Sequence, residues 1–129
     1  MKKKIARQGI KCLFHHLVAN EYFGKKIDLV EWMSFTELVK SLKELNADEG
    51  VMAIENSIAG SILPNYALID ENELHVVGEH YMPIEMNFMA LPGQNIDSIK
   101  KVYSHPMALL QCKEFFKEHP HIKLIEDED

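Results

Sequence analysis

Residues 50–62 read GVMAIENSIAGSI: an apolar run followed without a break by a carboxylate, an amide and a hydroxyl (Glu55, Asn56, Ser57), then Gly60 and a second apolar segment after Ser61. That order predicts a buried strand over 51–54 that stops on polar side chains and turns through small residues into a helix. Backbone N–H groups at a helix start lack intrahelical partners and carry partial positive charge, so such a turn can hold an anion. In an open α/β sheet it lies at the mouth of the sheet. The same residues also suit an ordinary strand-to-helix loop in which Asn56 and Ser57 only cap the helix, and the residue types alone leave both readings open. Two more turns of this character occur, at residues 8–14 and at 104–107, where Ser104, His105 and Pro106 close a short strand and open a helix. If the three meet at the carboxyl ends of their strands, three helix starts face one crevice, and the ligand that suits it is a small anion such as a di-acid.

The elements that would position these turns follow from periodicity. A first strand around Ile5 and Ala6 ends at Gln8 and Gly9. A helical stripe of Phe14, Leu17, Val18 and Tyr22 is stopped by Gly24. Residues 27–32 form a second strand. Ser34 with Glu37 three residues on is a capping box, and Phe35, Leu38, Val39, Leu42 and Leu45 then fall on one helical face. This β-α-β-α-β succession predicts a parallel sheet with helices packed on it. Beyond the central motif, the expected elements are a helix over 62–69, strands over 74–79 and 87–91, a short helix over 96–101, and a strand over 102–104. A helix follows from Pro106 to the stop at His119 and Pro120, and a last strand spans 122–125. The stretch 74–83 reads as a crossover between two lobes, giving a first α/β lobe over 1–73 and a second over 74–129.

Composition narrows the class. The chain has 129 residues, 47% of them hydrophobic and 26% charged, with a formal net charge of −6. That is enough chain for one domain with a core or two small lobes, and the acidic balance argues against a nucleic-acid partner. No apolar run approaches the roughly 20 residues of a membrane span, and no signal-peptide core follows Met1, so a cytoplasmic location is expected. Cys12 and Cys112 show neither metal spacing nor a disulfide framework. His15 and His16 point about 100° apart on a helix and poorly suit one metal; no metal and no cofactor are expected.

Three blocks, QGIKCLFHH, GVMAIENSIAGSI and YSHPMALLQC, resemble the prephenate dehydratase family, with Ala108, Gln111 and Cys112 at the spacing that the Ser-His-Pro block requires. The resemblance covers essentially the whole chain. It implies a two-lobed α/β domain similar to the type 2 periplasmic-binding-protein architecture, with mainly parallel sheets and the second lobe truncated. It also implies a cytosolic enzyme of phenylalanine biosynthesis that converts prephenate to phenylpyruvate with loss of CO2 and water. On the matching positions it implies that Asn56 and Ser57 hydrogen-bond the substrate, that Glu55 either joins them on the substrate or fixes the loop or a neighbouring helix, that Ser104 and His105 line the opposite wall, and that Gln111 contacts the substrate or the facing lobe. His105 is the candidate proton donor.

The chain departs from the family pattern at Cys12 and Leu13, where a glycine followed by Thr or Ser is usual, at Met86 in place of a histidine and at Met107 in place of a glutamine. The family's Thr-Arg-Phe motif and its ACT regulatory domain do not occur in these 129 residues. The expectation is therefore a homo-oligomer with no prephenate turnover by this polypeptide alone. The alternative is a module that binds a small dicarboxylate without turning it over.

Overall fold

The computed structural model describes residues 1–9 and 13–127. Ile10, Lys11 and Cys12 of the first expected turn, with Glu128 and Asp129 of the acidic end, lie outside the described residues. The described chain falls into two compact units, one of residues 1–56 and 61–84, the other of residues 57–60 and 85–129.

The first unit is built on strand β1 (Lys3–Gln8), which pairs in parallel with β2 (Ile27–Trp32) on one side and β3 (Glu49–Val51) on the other, giving the order β2-β1-β3. Helix α1 (Phe14–Phe23) connects β1 to β2, and α2 (Phe35–Lys43) connects β2 to β3. The first crossover steps one way from β1 and the second steps back past it, so right-handed connections put the two helices on opposite faces. Both faces of β1 are then covered, and Ile5 and Ala6 have no exposed surface. Ala6 packs with Leu38, Val39 and Ala47 under α2, each large aliphatic side chain contributing about 1.5–3 kcal/mol by burial. Successive side chains alternate across the pleat, which sends Arg7 to the other face, beside His15 of α1.

Helix ends follow local chemistry. Ser34 Oγ accepts the Glu37 N–H and the Glu37 carboxylate accepts the Ser34 N–H, completing the expected capping box. At the other end α2 stops at Lys43, and Leu45 is a correction to the expected apolar stripe. It lies past the helix at φ 58°, 88% exposed, with the Asn46 N–H donating back to the Ser41 carbonyl. This is a Schellman closure with leucine where glycine is favoured. Helix α3 (Leu63–Glu71) closes likewise, with Glu73 at φ 53° and the Leu74 N–H donating to Ile69.

The central strand is shorter and earlier than expected. It ends at Val51, and past it the Ala53 carbonyl accepts from Asn65 Nδ2 and the Ile54 carbonyl from the Ile62 N–H. β3 can lie close beneath α2 because residue 50 is glycine; a Cβ there would stand 2.9 Å from Leu38 and 3.0 Å from Leu42. Residues 74–79, expected as a strand, carry no regular structure. They are anchored to α1 instead, with the Tyr22 hydroxyl over Gly78 and His80 Nε2 2.7 Å from Glu21.

In the second unit β6 (Lys101–Ser104) and β7 (Lys123–Glu126) pair in parallel, joined by helices α4 (Pro106–Gln111) and α5 (Lys113–Lys117). Leu109 and Ile122 are buried, and Phe88, Phe115 and Phe116 meet edge to face. The single helix expected after Pro106 breaks at Cys112, and the expected helix over 96–101 is a turn. There Asn95 and Ser98 exchange side-chain-to-backbone bonds of 3.0 and 3.1 Å, the local competition that keeps such residues out of helices. Residues 87–91 form no strand either. Phe88, Met89 and Ala90 line a cavity of about 230 Å³ together with Lys101, Val102 and Tyr103, space that a paired neighbour would fill at a spacing of about 4.8 Å. The α/β class with parallel sheets stands, while these later elements are corrected.

Two outcomes follow from this packing. Leu45→Gly should raise stability by about 1 kcal/mol, since the left-handed conformation costs a non-glycine residue roughly that much and little buried surface is lost. Urea denaturation measures it, and unchanged or lower stability would contradict the assignment. His15 is pushed below the ordinary histidine range, first by burial and then by the charge of Arg7, and its Nε2 has no hydrogen-bond partner. The unfolded chain therefore takes up a proton near pH 6.5 that the folded chain refuses. Stability should be fully present above about pH 6.5 and fall below it by up to about 1.4 kcal/mol per pH unit, levelling once the folded histidine also titrates. His15→Phe should flatten that slope in urea midpoints compared at pH 7.5 and 5.

Candidate active site

The Glu-Asn-Ser block does not run straight into a helix. Glu55 and Asn56 form strand β4 (Glu55–Asn56), which pairs with β5 (Gly60–Ser61) before α3 begins. The connection is too short for a parallel crossover, so the pair is an antiparallel hairpin. This corrects the expected strand-to-helix turn: residue Ile62, with no side-chain cap bond, occupies the helix N-cap, and neither Asn56 nor Ser57 caps α3. Asn56 is half-buried and Ser57 exposed, and the division between the two units falls between them.

Glu55 is tied down at its carboxylate. Oε1 accepts a hydrogen bond of 2.8 Å from Ser61 Oγ and one of 2.5 Å from the Tyr66 hydroxyl. These bonds, Tyr66 first and Ser61 second, hold the carboxyl below the usual glutamate range, and the same contact pushes the Tyr66 phenol up. Glu55 is thus an ionised acceptor rather than a proton source.

At the first turn, Arg7 closes β1. It is 1% exposed, and its guanidinium donates to the Gly9 carbonyl at 2.6 Å and to the Glu31 carboxylate at 2.5 Å. Gly9 takes φ 82°, and its N–H donates to Trp32 at 2.9 Å. The Leu13 side chain lies over it so closely that a Cβ would stand 2.6 Å away, so glycine is required for both backbone and space. Leu13 is the N-cap of α1 and makes no side-chain cap bond, the consequence of a hydrocarbon where a hydroxyl oxygen would accept from the first turn.

The Ser-His-Pro block is placed as expected. Ser104 ends β6, and its carbonyl accepts the Asp127 N–H at 2.9 Å, tying it to the residue after β7. His105 is the N-cap of α4, its Nδ1 accepting the Met107 N–H at 3.1 Å. A neutral ring that accepts at Nδ1 carries its proton on Nε2, so His105 presents a fixed N–H donor. With Pro106, Glu126 and Asp127 it lines an open cavity of about 530 Å³ at the carboxyl ends of β6 and β7. Gln111 is the last residue of α4 and half-buried.

Within the first unit, then, Glu55 and Asn56 lie next to the Tyr66 contact; within the second, His105 lines the cavity and follows Ser104. Arg7, Asn65 and Tyr66 escaped the sequence reading. An arginine inside an apolar strand is rarely buried without partners and was a legible signal. Tyr66, eleven residues from Glu55, gave none. Among the described residues no group of three or more His, Cys, Asp or Glu could hold a metal, and no helix is long and apolar enough to cross a membrane.

Comparison with known proteins agrees with these blocks. The chain is 35% identical over 124 residues to a bifunctional chorismate mutase/prephenate dehydratase of Enterobacter agglomerans, covering 94% of this chain and 32% of that protein. It is 33% identical over 110 residues to the chloroplastic arogenate dehydratase 4 of Arabidopsis thaliana, covering 85% of this chain and 26% of the relative. The chain thus spans about a third or less of these curated relatives. Two solved structures share the fold at 24% identity over 98% of this chain. One is a protein described as a quorum-quenching acylase, GqqA, with a TM-score of 0.73 and 46% of its chain covered. The other is the prephenate dehydratase of Staphylococcus aureus, with a TM-score of 0.69 and 48% covered. Residues 5–129 match the family described as prephenate dehydratase, and the chain belongs to that family.

Proposed function

We propose that the protein carrying this sequence is a prephenate dehydratase, a lyase of phenylalanine biosynthesis acting in the cytoplasm without a cofactor. The observation that supports the reading most is the family match over residues 5–129, which contains both the Glu-Asn-Ser and the Ser-His-Pro blocks.

Prephenate carries two carboxylates and, opposite the ring carboxylate, a ring hydroxyl. The electron pair of the breaking C–CO2 bond enters the ring as the hydroxyl departs with a proton, leaving an aromatic product, CO2 and water. Aromatisation drives the reaction, so the protein must orient the dianion and assist the departing oxygen. That calls for placed N–H and O–H donors. In this reading Asn56, Ser57, Ser104 and Gln111 hold the substrate. His105 offers Nε2–H toward a developing negative oxygen, and Glu55 orders the loop. The first lobe is residues 1–73 and the second 74–129.

The reading extends to a homo-oligomer. Val76, Val77, Tyr81, Met89 and Leu91 are all exposed, apolar surface of the kind that another copy covers. Sedimentation at micromolar concentration should show a dimer or larger species, and a stable monomer would remove this part of the proposal.

Turnover is tested by phenylpyruvate formation from prephenate at neutral pH. In the natural gene product, Asn56→Ala and Ser57→Ala should each lower kcat/KM at least tenfold, since losing a donor to a charged group costs about 1.5–3 kcal/mol, with circular dichroism unchanged. Wild-type kinetics in both variants would take these residues out of the site. Binding of prephenate without turnover by the gene product would instead leave a dicarboxylate-binding module.

A further inference from the structure

We infer that Tyr66 is a positioning residue of the active site, acting through Glu55 to set the backbone that presents Asn56 and Ser57; the inference rests on the dehydratase reading of that block.

Its basis is a set of tethers that run from the start of α3 to the residues just before Asn56. Ala53 accepts from Asn65 Nδ2 at 2.8 Å, Ile54 from the Ile62 N–H at 2.9 Å, and Glu55 from Tyr66 and Ser61. Ile62, Asn65 and Tyr66 stand at i, i+3 and i+4, so they share one face of the first helical turn. Three consecutive residues, 53 to 55, are thereby fixed against one rigid face. Asn65 is buried, as its role requires, whereas Tyr66 and Glu55 are exposed.

That exposure makes the Tyr66 contact informative. An exposed glutamate is well solvated and needs no phenol partner for stability. A bond whose removal would cost the fold little, yet which ends on the residue adjoining Asn56, acts on orientation. It also concerns charge. A loose carboxylate next to donors meant for a dianion would compete for those donors, while one whose Oε1 already accepts two bonds is committed elsewhere. The low position of the Glu55 carboxyl and the raised Tyr66 phenol fit a donor and acceptor that keep these roles across the neutral range.

The experiment has two arms. In the 129-residue chain, the Glu55 side-chain carbon is titrated by NMR in the wild type and in Tyr66→Phe. The midpoint should move up toward the ordinary glutamate range in the variant, with the urea midpoint and circular dichroism essentially kept. In the natural gene product, Tyr66→Phe should lower kcat about tenfold, KM should change less, and the acidic limb of the pH profile should move to higher pH. The double variant Tyr66→Phe/Glu55→Gln should be no worse than Glu55→Gln alone, as expected when one residue acts through the other. An unmoved Glu55 titration would show that there is no tether in solution. A moved titration with unchanged kcat and pH profile would show a tether without a positioning role, and additive losses in the double variant would separate Tyr66 from Glu55. Absence of turnover in the wild-type gene product would defeat the dehydratase reading and the positioning role with it, and is told apart from the other failures because the titration arm is read without substrate.

Discussion

Strand β1 sets the conditions for everything around it. It has hydrogen-bonded neighbours on both sides and a helix on each face, and its middle residues Ile5, Ala6 and Arg7 are buried. Arg7 has to be satisfied from within, and the groups that satisfy it are the Gly9 carbonyl and Glu31. An unpaired buried charge would be strongly destabilising, so loss of the Glu31 carboxylate alone would leave the buried Arg7 guanidinium without this counter-charge. The geometry of the first turn is thus dictated from the core. Leu13 packing over Gly9 adds a steric lock to the electrostatic one.

The same logic explains why the central block is a hairpin. Residues 53–55 supply acceptors to the residues around the start of α3: the Ala53 carbonyl to Asn65 Nδ2, the Ile54 carbonyl to the Ile62 N–H, and the Glu55 carboxylate to Ser61 and Tyr66. With these bonds made, the chain is clear of the β3 ladder after Val51 and reverses over 57–59 to reach Ser61 and Ile62. The reversal removes Asn56 and Ser57 from any capping duty. Asn56 and Ser57 then sit in a short hairpin just before the start of α3.

Legibility in the sequence followed the range of the forces. Helix α1 and the Ser34–Glu37 capping box rest on neighbours within about four residues and were readable as written, while the short apolar runs of β1 and β2 were readable because each has the other in register. So was the His105 cap, because Pro106 at the first helical position and a side-chain acceptor before it are a local device. The elements over 74–100 were not. Val76, Val77, Phe88 and Met89 look like strand residues, but a strand exists only when a partner lies in register, and no spacing in the sequence reports a missing partner. Leu45 misled for a related reason: its apolar side chain continued the stripe, while the Asn46-to-Ser41 bond that ends the helix is a backbone contact with no residue signature beyond the glycine that is absent. The candidate site was legible where a motif was contiguous, at Glu55, Asn56, Ser57, Ser104 and His105. It was illegible at Tyr66, whose contact with Glu55 spans the hairpin and the first turn of α3.

The arrangement of charge around Glu55 has a consequence for how a dianion could be accommodated there. Two unit charges 4 Å apart in the effective dielectric of a protein surface interact by about 4 kcal/mol, so a free carboxylate close to a bound carboxylate would erase the benefit of one or two donors at about 1.5–3 kcal/mol each. Replacing Glu55 by a neutral residue would remove that repulsion and also the acceptor that Ser61 and Tyr66 share, freeing both hydroxyls to swing. Keeping the charge and holding it in place is the alternative, and the two hydroxyls do so by donating to Oε1. The carboxylate then serves as a fixed point of the hairpin, tied to Ser61 of β5 and to Tyr66 of α3.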